Sequence, residues 1–180
     1  WGQNFQQGKA LFEAETDQQN LIIFATPRLG RVIALGGVFQ TTESDEFVYH
    51  EMMVHIPMNT HALPKRVLII GGGDGGILRE VLKHSTVESV TQVEIDRAVV
   101  DMCVEFFPNH SQGAFDDPRL NLVIDDGAAF IASNTATYDV IITDSTDPIG
   151  PGEVLFESTF YQGCANALTA DGILVTQNGV

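Results

Sequence analysis

The stretch VLIIGGGDGGILRE, residues 67–80, constrains the fold more than any other part of the chain. Four aliphatic residues read as a buried strand, the glycines as a tight loop and ILRE as the first turn of a helix. That is the opening of a βα unit whose loop faces a nucleotide. Gly71, Gly73 and Gly76 satisfy the G-x-G-x-x-G spacing, and Glu94 follows at the end of the next apolar run. Asp74 stands inside this loop, where dinucleotide-binding proteins receive a pyrophosphate on backbone N–H groups. A phosphate is hard to place beside that carboxylate, whereas an ammonium is easy.

Beyond residue 65 the pattern alternates. Strands are predicted at 66–70, 89–95, 120–124, 139–143 and 172–177, with helices at 76–84, 97–107, 127–133 and 157–168 between them. Nearly continuous apolar strands with helical crossovers predict a parallel sheet covered on both faces, which binds ligands beyond its carboxyl ends. Upstream, short β-segments at 21–25, 31–35 and 38–42 predict a small antiparallel sheet, the last two joined through Gly36-Gly37. Residues 45–56 read as a helix stopped by Pro57. The expected division is an N-terminal β-hairpin domain at 1–44 and an α/β domain at 45–180. The first residue is Trp1 rather than Met, and the last strand runs out where the sequence does. The expectation is a piece of a longer protein, with part of the site wall contributed from elsewhere in it.

On this topology Asp74 follows the first α/β strand, Glu94 and Asp96 end the second, Asp125 and Asp126 the third, and Asp144 and Asp147 the fourth. Any one of them reads equally well as a turn former or helix cap, and for Asp96 the cap is the preferred reading. Caps have no reason to collect at one rim of every strand, and like charges there cost stability unless a cation sits among them. Glu94 is placed to accept both ribose hydroxyls. Asp126, with the amide of Ala128 or Gly127, suits an adenine edge. The whole chain is acidic, with 24 Asp and Glu against 9 Lys and Arg, which disfavours nucleic acid and anionic membrane as partners. Cys103 and Cys164 lie in apolar helical patterns outside any paired spacing and read as reduced core thiols. A cytoplasmic location is expected. The five histidines read as surface or capping residues, His50 and His55 facing different ways on one helix, so no metal site is expected. Ser145 lacks the context of an activated nucleophile.

Six segments together, GVFQTTESDEFVYHEM, GGGDGGILREVLKH, VESVTQVEID, VIDDGAAF, IITDSTDPIGPGEVLF and FYQGCANAL, resemble spermidine synthase, the polyamine aminopropyltransferase, in its bacterial form. The resemblance runs in order through nearly the whole chain. It implies a Rossmann-like, methyltransferase-type parallel sheet with helices on both faces, preceded by a small antiparallel β domain. It implies transfer of the aminopropyl group of decarboxylated S-adenosylmethionine to putrescine, giving spermidine and methylthioadenosine, with no tightly bound cofactor. It also implies a homodimer or homotetramer. By resemblance Asp144 is the proton acceptor, Asp147 grips the diamine, Tyr49 helps place the attacking amine and Asp74 holds the amine of the aminopropyl arm. Gln40, His50, Glu94, Asp126 and Gly127 match donor-binding positions, Gly71 opens the glycine loop, and Pro151 matches a loop residue at the adenosine end. Two departures stand out: Gly36-Gly37 replaces the Asp-Gly usual before Gln40, and the carboxyl-terminal part that completes the sheet in relatives is missing.

Three other readings compete. A diamine N-methyltransferase shares such a sheet but must seat the methionine carboxylate, and at about 4 Å from a rim acid this costs roughly 4 kcal/mol at an effective dielectric of about 20. A nicotinamide dehydrogenase rests on the glycine motif alone. A non-catalytic adenosine- or polyamine-binding module is the third.

Overall fold

The computed structural model describes residues 8–146, 148 and 150–178, without the side chain of Pro151. Asp147 therefore lies outside the described residues. Alternating apolar residues build an antiparallel sheet of four strands in the order β1 (Ala10–Glu15), β2 (Asn20–Thr26), β3 (Gly30–Leu35) and β4 (Val38–Thr42). Strand β1 is an addition to the expected set. Its register slips between Ala10 and Phe12, which breaks the strict alternation that would have marked it. Leu35 pairs with Val38 across the Gly36-Gly37 turn, whose two residues have φ of 56° and 83°.

Helix α1 (Glu46–Thr60) leads into the second sheet, and it corrects the sequence reading at Pro57, which lies inside the helix rather than at its end. Proline removes one backbone hydrogen bond, but Pro57 and Met58 are buried, and that apolar burial favours a further turn. Side chains support the turn as well: Asn59 donates to the carbonyl of His55 and Thr60 to that of Ile56, each at 2.7 Å.

The remainder alternates as expected. Strand β5 (Arg66–Gly71) precedes α2 (Gly76–Leu82), β6 (Ser89–Glu94) precedes α3 (Arg97–Phe106), and a short α4 (Pro108–Ser111) precedes β7 (Leu120–Ile124). Then come α5 (Gly127–Ala132), β8 (Tyr138–Asp144), a 3₁₀ stretch at Gly150–Phe156, α6 (Ser158–Ala167) and β9 (Leu168–Thr176). All five strands are parallel, in the order β7-β6-β5-β8-β9.

Both faces of the central strands are buried. Val67 and Ile69 of β5 pack with Val140 and Ile142 of β8 against α1 and α2, through Val54, Met58, Ile77 and Val81. Leu68 and Ile70 face the other way, with Ile141, onto Ile131 of α5 and Phe160 and Cys164 of α6. Each such side chain contributes about 1.5–3 kcal/mol of burial, so the position of the β5 and β8 ends is set by the core. A third cluster joins the small sheet to α3: Leu21, Ile23, Ile33 and Leu35 pack on Val99, Cys103 and Phe107. Cys103 and Cys164 are buried, unpaired thiols, and burial raises the pKa of both. Because β6 and β8 flank β5 on opposite sides, the crossovers reverse direction there, which opens a crevice at the carboxyl ends of β5 and β8. No helix among the described residues is long and apolar enough to cross a membrane.

Candidate active site

The crevice at the β5–β8 boundary is roofed by the small sheet. Its lining includes Gln40 of β4, Tyr49 of α1, Asp74, Glu94, Asp126 and Asp144, with Gly71 and Gly127 beside them. Gly71 and Asp144 are register partners across β5 and β8. Gly71 has φ 82°, and a Cβ there would stand 2.0 Å from the Asp144 carbonyl oxygen, so only glycine lets the two chains close. The Gly72 amide donates to that carbonyl at 3.1 Å. Gln92, fully buried on β6, donates to the carbonyls of Gly71 at 3.0 Å and Gly72 at 2.7 Å. The sequence reading missed Gln92; an amide in the middle of an apolar strand, on the same face as Glu94, was the available signal.

Four carboxylates occupy this rim in different surroundings. The Tyr49 hydroxyl donates to Asp144 Oδ1 at 2.6 Å. Burial, reinforced by the neighbouring Asp74 charge, pushes Asp144 up to about 6. Asp74 is held the other way: burial would raise its pKa, but the charge and hydrogen bond of His50, then the Gly76 amide at 2.8 Å, lower it. Burial pushes Glu94 up to about 7 although it accepts from the Asp96 amide at 2.9 Å. Asp126 caps α5, accepting from the amides of Ala128 at 2.7 Å and Ala129 at 3.3 Å. Its own side chain thus takes the Ala128 amide, one of the two amides the sequence reading paired with it. Asp96 is the cap the sequence suggested, accepting from Ala98 at 3.0 Å.

His50 overturns the reading of the histidines as surface or capping groups. It is 2% exposed, with Nε2 3.2 Å from Asp74 Oδ2 and Nδ1 2.5 Å from Glu46 Oε2. Burial opposes its charge, but Asp74 and then Glu46 more than offset this and raise it to about 10. His110 is buried as well, its ring 6.2 Å from that of His50. Gly76 makes room for this arrangement: a Cβ there would fall 2.2 Å from two atoms of the His50 ring. The third glycine of the motif therefore admits a histidine from α1. Neither Glu46 nor Arg79, which clamps Glu46 with two bonds of 3.0 Å, was legible as a site residue. Single ligand atoms of His50, Asp74 and Asp144 lie within 4.8 Å of one another, a spacing that suits a metal. Both nitrogens of His50 face carboxylates, however, so the ring carries protons and presents no lone pair.

The family model described as the spermine/spermidine synthase domain matches residues 46–180, and the one described as the spermidine synthase tetramerisation domain matches residues 2–43. The chain belongs to the spermine/spermidine synthase family. Among its relatives, the polyamine aminopropyltransferase of Pseudomonas syringae pv. tomato is 65% identical over 99% of this chain and 63% of the relative. That of Yersinia pestis is 58% identical over 100% of this chain and 61% of the relative. A spermidine synthase crystallised with the transition-state analogue AdoDATO superposes with a TM-score of 0.92 at 47% identity, covering 96% of this chain and 59% of that one. The spermidine synthase of Thermotoga maritima gives 0.89 at 46%, covering 96% and 58%. The chain thus spans about three fifths of the length of the relatives it matches. The expected fold class, a methyltransferase-type parallel sheet with a preceding antiparallel one, is the observed one.

Proposed function

We propose that the protein containing this chain transfers the aminopropyl group of decarboxylated S-adenosylmethionine to putrescine, with Asp144 as the proton acceptor. The observation that carries this is the pairing of two carboxylates in opposite states at one crevice: Asp74, held ionised by His50, and Asp144, raised to about 6 and bonded to Tyr49. A pair pushed apart in this way divides into a permanent anion and a base. The structural neighbour that binds AdoDATO and the aminopropyltransferase relatives support the same reading.

The sulfonium donor needs no general acid, because its leaving group departs as a neutral thioether. The amine is the difficulty. With a pKa near about 10.4, only about one molecule in several thousand is free at neutral pH, a handicap of roughly 4–5 kcal/mol. In this reading Asp144 takes the proton as the lone pair attacks, Tyr49 orients Asp144, and Asp74 holds the ammonium of the donor arm. Glu94 receives the ribose diol, Asp126 and Gly127 the adenine, and Gln40 and Gly71 close the donor side, with His50 acting on the arm through Asp74. Asp147 and Pro151 are assigned by resemblance alone, to the distal diamine amine and the adenosine end. No metal or tightly bound cofactor enters the scheme. The chain divides at 44/45 into a β-sheet unit and a catalytic unit, the former supports a homodimer or homotetramer, and the location is cytoplasmic. Incubation with putrescine and decarboxylated donor, followed by mass spectrometry, tests the reading: a product heavier by one aminopropyl group supports it, while a methylated diamine or an unchanged one rejects it.

Glu94 supplies an independent check. Protonated below about pH 7 by burial, it must ionise to accept two ribose hydroxyls. Methylthioadenosine, which carries no ammonium, is therefore expected to release part of a proton on binding near pH 6.5 and none near pH 9. Calorimetry in buffers of differing ionisation enthalpy measures this, and Glu94→Gln is expected to abolish it.

A further inference from the structure

The rim residues do not stand alone. Four charged side chains, His50 and Arg79 buried and Asp74 and Glu46 partly so, form a row that crosses from the loop after β5, through α1, into α2: Asp74, His50, Glu46 and Arg79. Glu46 and His50 share one face of α1 at i,i+4, and Arg79 meets Glu46 with both terminal nitrogens, a two-pronged geometry that fixes the carboxylate plane. Arg79 is itself anchored by the backbone carbonyls of Asn109 at 3.0 Å and His110 at 2.7 Å, and by Glu80 at 2.7 Å. Neither Glu46 nor Arg79 lines the crevice. They touch it only through His50.

We infer that Glu46 and Arg79 are positioning residues for the transfer reaction: Arg79 locks Glu46, Glu46 holds His50 doubly protonated against Asp74, and Asp74 is thereby kept from competing with Asp144 for the proton of the attacking amine. The inference rests on the functional reading above. The geometry behind it is the alternation of charge along the row. An imidazole with a carboxylate on each nitrogen must donate from both, and an imidazole lacking Glu46 would be free to release one proton. Losing that proton would leave Asp74 and Asp144 facing each other without the cation between them. Gly76 reinforces the arrangement sterically, since the ring lies directly over it. The other groups facing His50 are Asp144 from β8, Tyr49 beside it on α1 with ring centroids 5.4 Å apart, and His110 from α4. Of these only Asp144 adds negative charge at neutral pH, and it favours the same cationic ring. Burial opposes both charges, but Asp74 and Glu46 raise the ring to about 10, and His50 and Arg79 lower Glu46 to about 2.

The experiment is a pH titration of ¹⁵N-histidine-labelled protein, followed by NMR, alongside kcat/KM profiles of wild type and Glu46→Gln. In wild type the His50 ring is expected to keep two N–H signals from pH 6 to 9. In Glu46→Gln it is expected to titrate at least one pH unit lower, and the alkaline fall of kcat/KM should move down with it. Glu46→Asp is expected to recover part of the shift. A wild-type His50 that titrates in the ordinary range near about 6.5 overturns the inference, whether or not the variant folds. So does a Glu46→Gln protein in which both the titration and the profile stay where they were. Because the ring is observed without turnover, a failure here is distinguishable from a failure to transfer the aminopropyl group.

Discussion

Replacing Asp144 by asparagine is expected to lower kcat by about 10²- to 10⁴-fold, the usual worth of a positioned general base. Affinity for methylthioadenosine should change by only a few fold. The two effects separate because Asp144 ends β8, while Glu94 and Asp126, the residues proposed to hold the nucleoside, lie at the end of β6 and just beyond that of β7. Asparagine keeps the shape and can still accept from the Tyr49 hydroxyl, so the backbone register with Gly71 is preserved. What it cannot do is take a proton. The sign of the pH dependence follows from the same group: Asp144 must be ionised to act, and it ionises near about 6, so wild-type kcat/KM should fall as pH drops below that value. In Asp144→Asn that acid limb should vanish from the residual rate. Stopped assays of methylthioadenosine release across pH 5–9 measure both effects, and an unchanged rate would remove Asp144 from the base role.

Gly76→Ala is expected to be the next most damaging single change. A methyl group 2.2 Å from the His50 ring has nowhere to go, since one side of that ring is fixed by Glu46 and the other by Asp74. Either α2 shifts or the histidine leaves its pocket, at an overpacking cost of about 1–3 kcal/mol. Displacing Asp74 by about 1 Å would reduce kcat/KM by roughly 10²-fold. In a His50→Ala background, which lacks the ring, Gly76→Ala should cost little further stability, and neither protein lacking His50 should regain activity. Thermal melts and kinetics on the four proteins of this cycle isolate the contact.

The glycine loop and the rim acids were legible because both depend on local periodicity. Once β5, β6 and β8 are recognised as buried strands, the residue at each carboxyl end is fixed in space, and Asp74, Glu94 and Asp144 fall on one edge without further information. The environment of His50 was not legible, since its partners come from different elements. Asp74 lies 24 residues downstream of it, and Arg79 meets Glu46 across a separation of 33 residues. No periodicity within α1 shows which face lies on α2, and the apolar residues of that helix do not mark one side clearly: Val48, Met52 and Ile56 are exposed while His50 is buried. Pro57 misled for a related reason. A breaker rule is local, and the burial of Pro57 and Met58 is a tertiary effect that outweighs it. Asp126 shows the two readings coexisting, because one of its oxygens caps α5 while the residue still lines the crevice.

The central claim is that acids gathered where β5 and β8 end seat a cationic donor arm and a diamine. A crystal structure of the protein containing this chain, with methylthioadenosine and putrescine bound, tests it most directly. The account predicts one putrescine nitrogen within hydrogen-bonding distance of Asp144 and pointing at the thioether sulfur, with Glu94 on the ribose and His50 still between Glu46 and Asp74. A diamine bound elsewhere, with Asp74 and Asp144 turned away from it, would contradict the account.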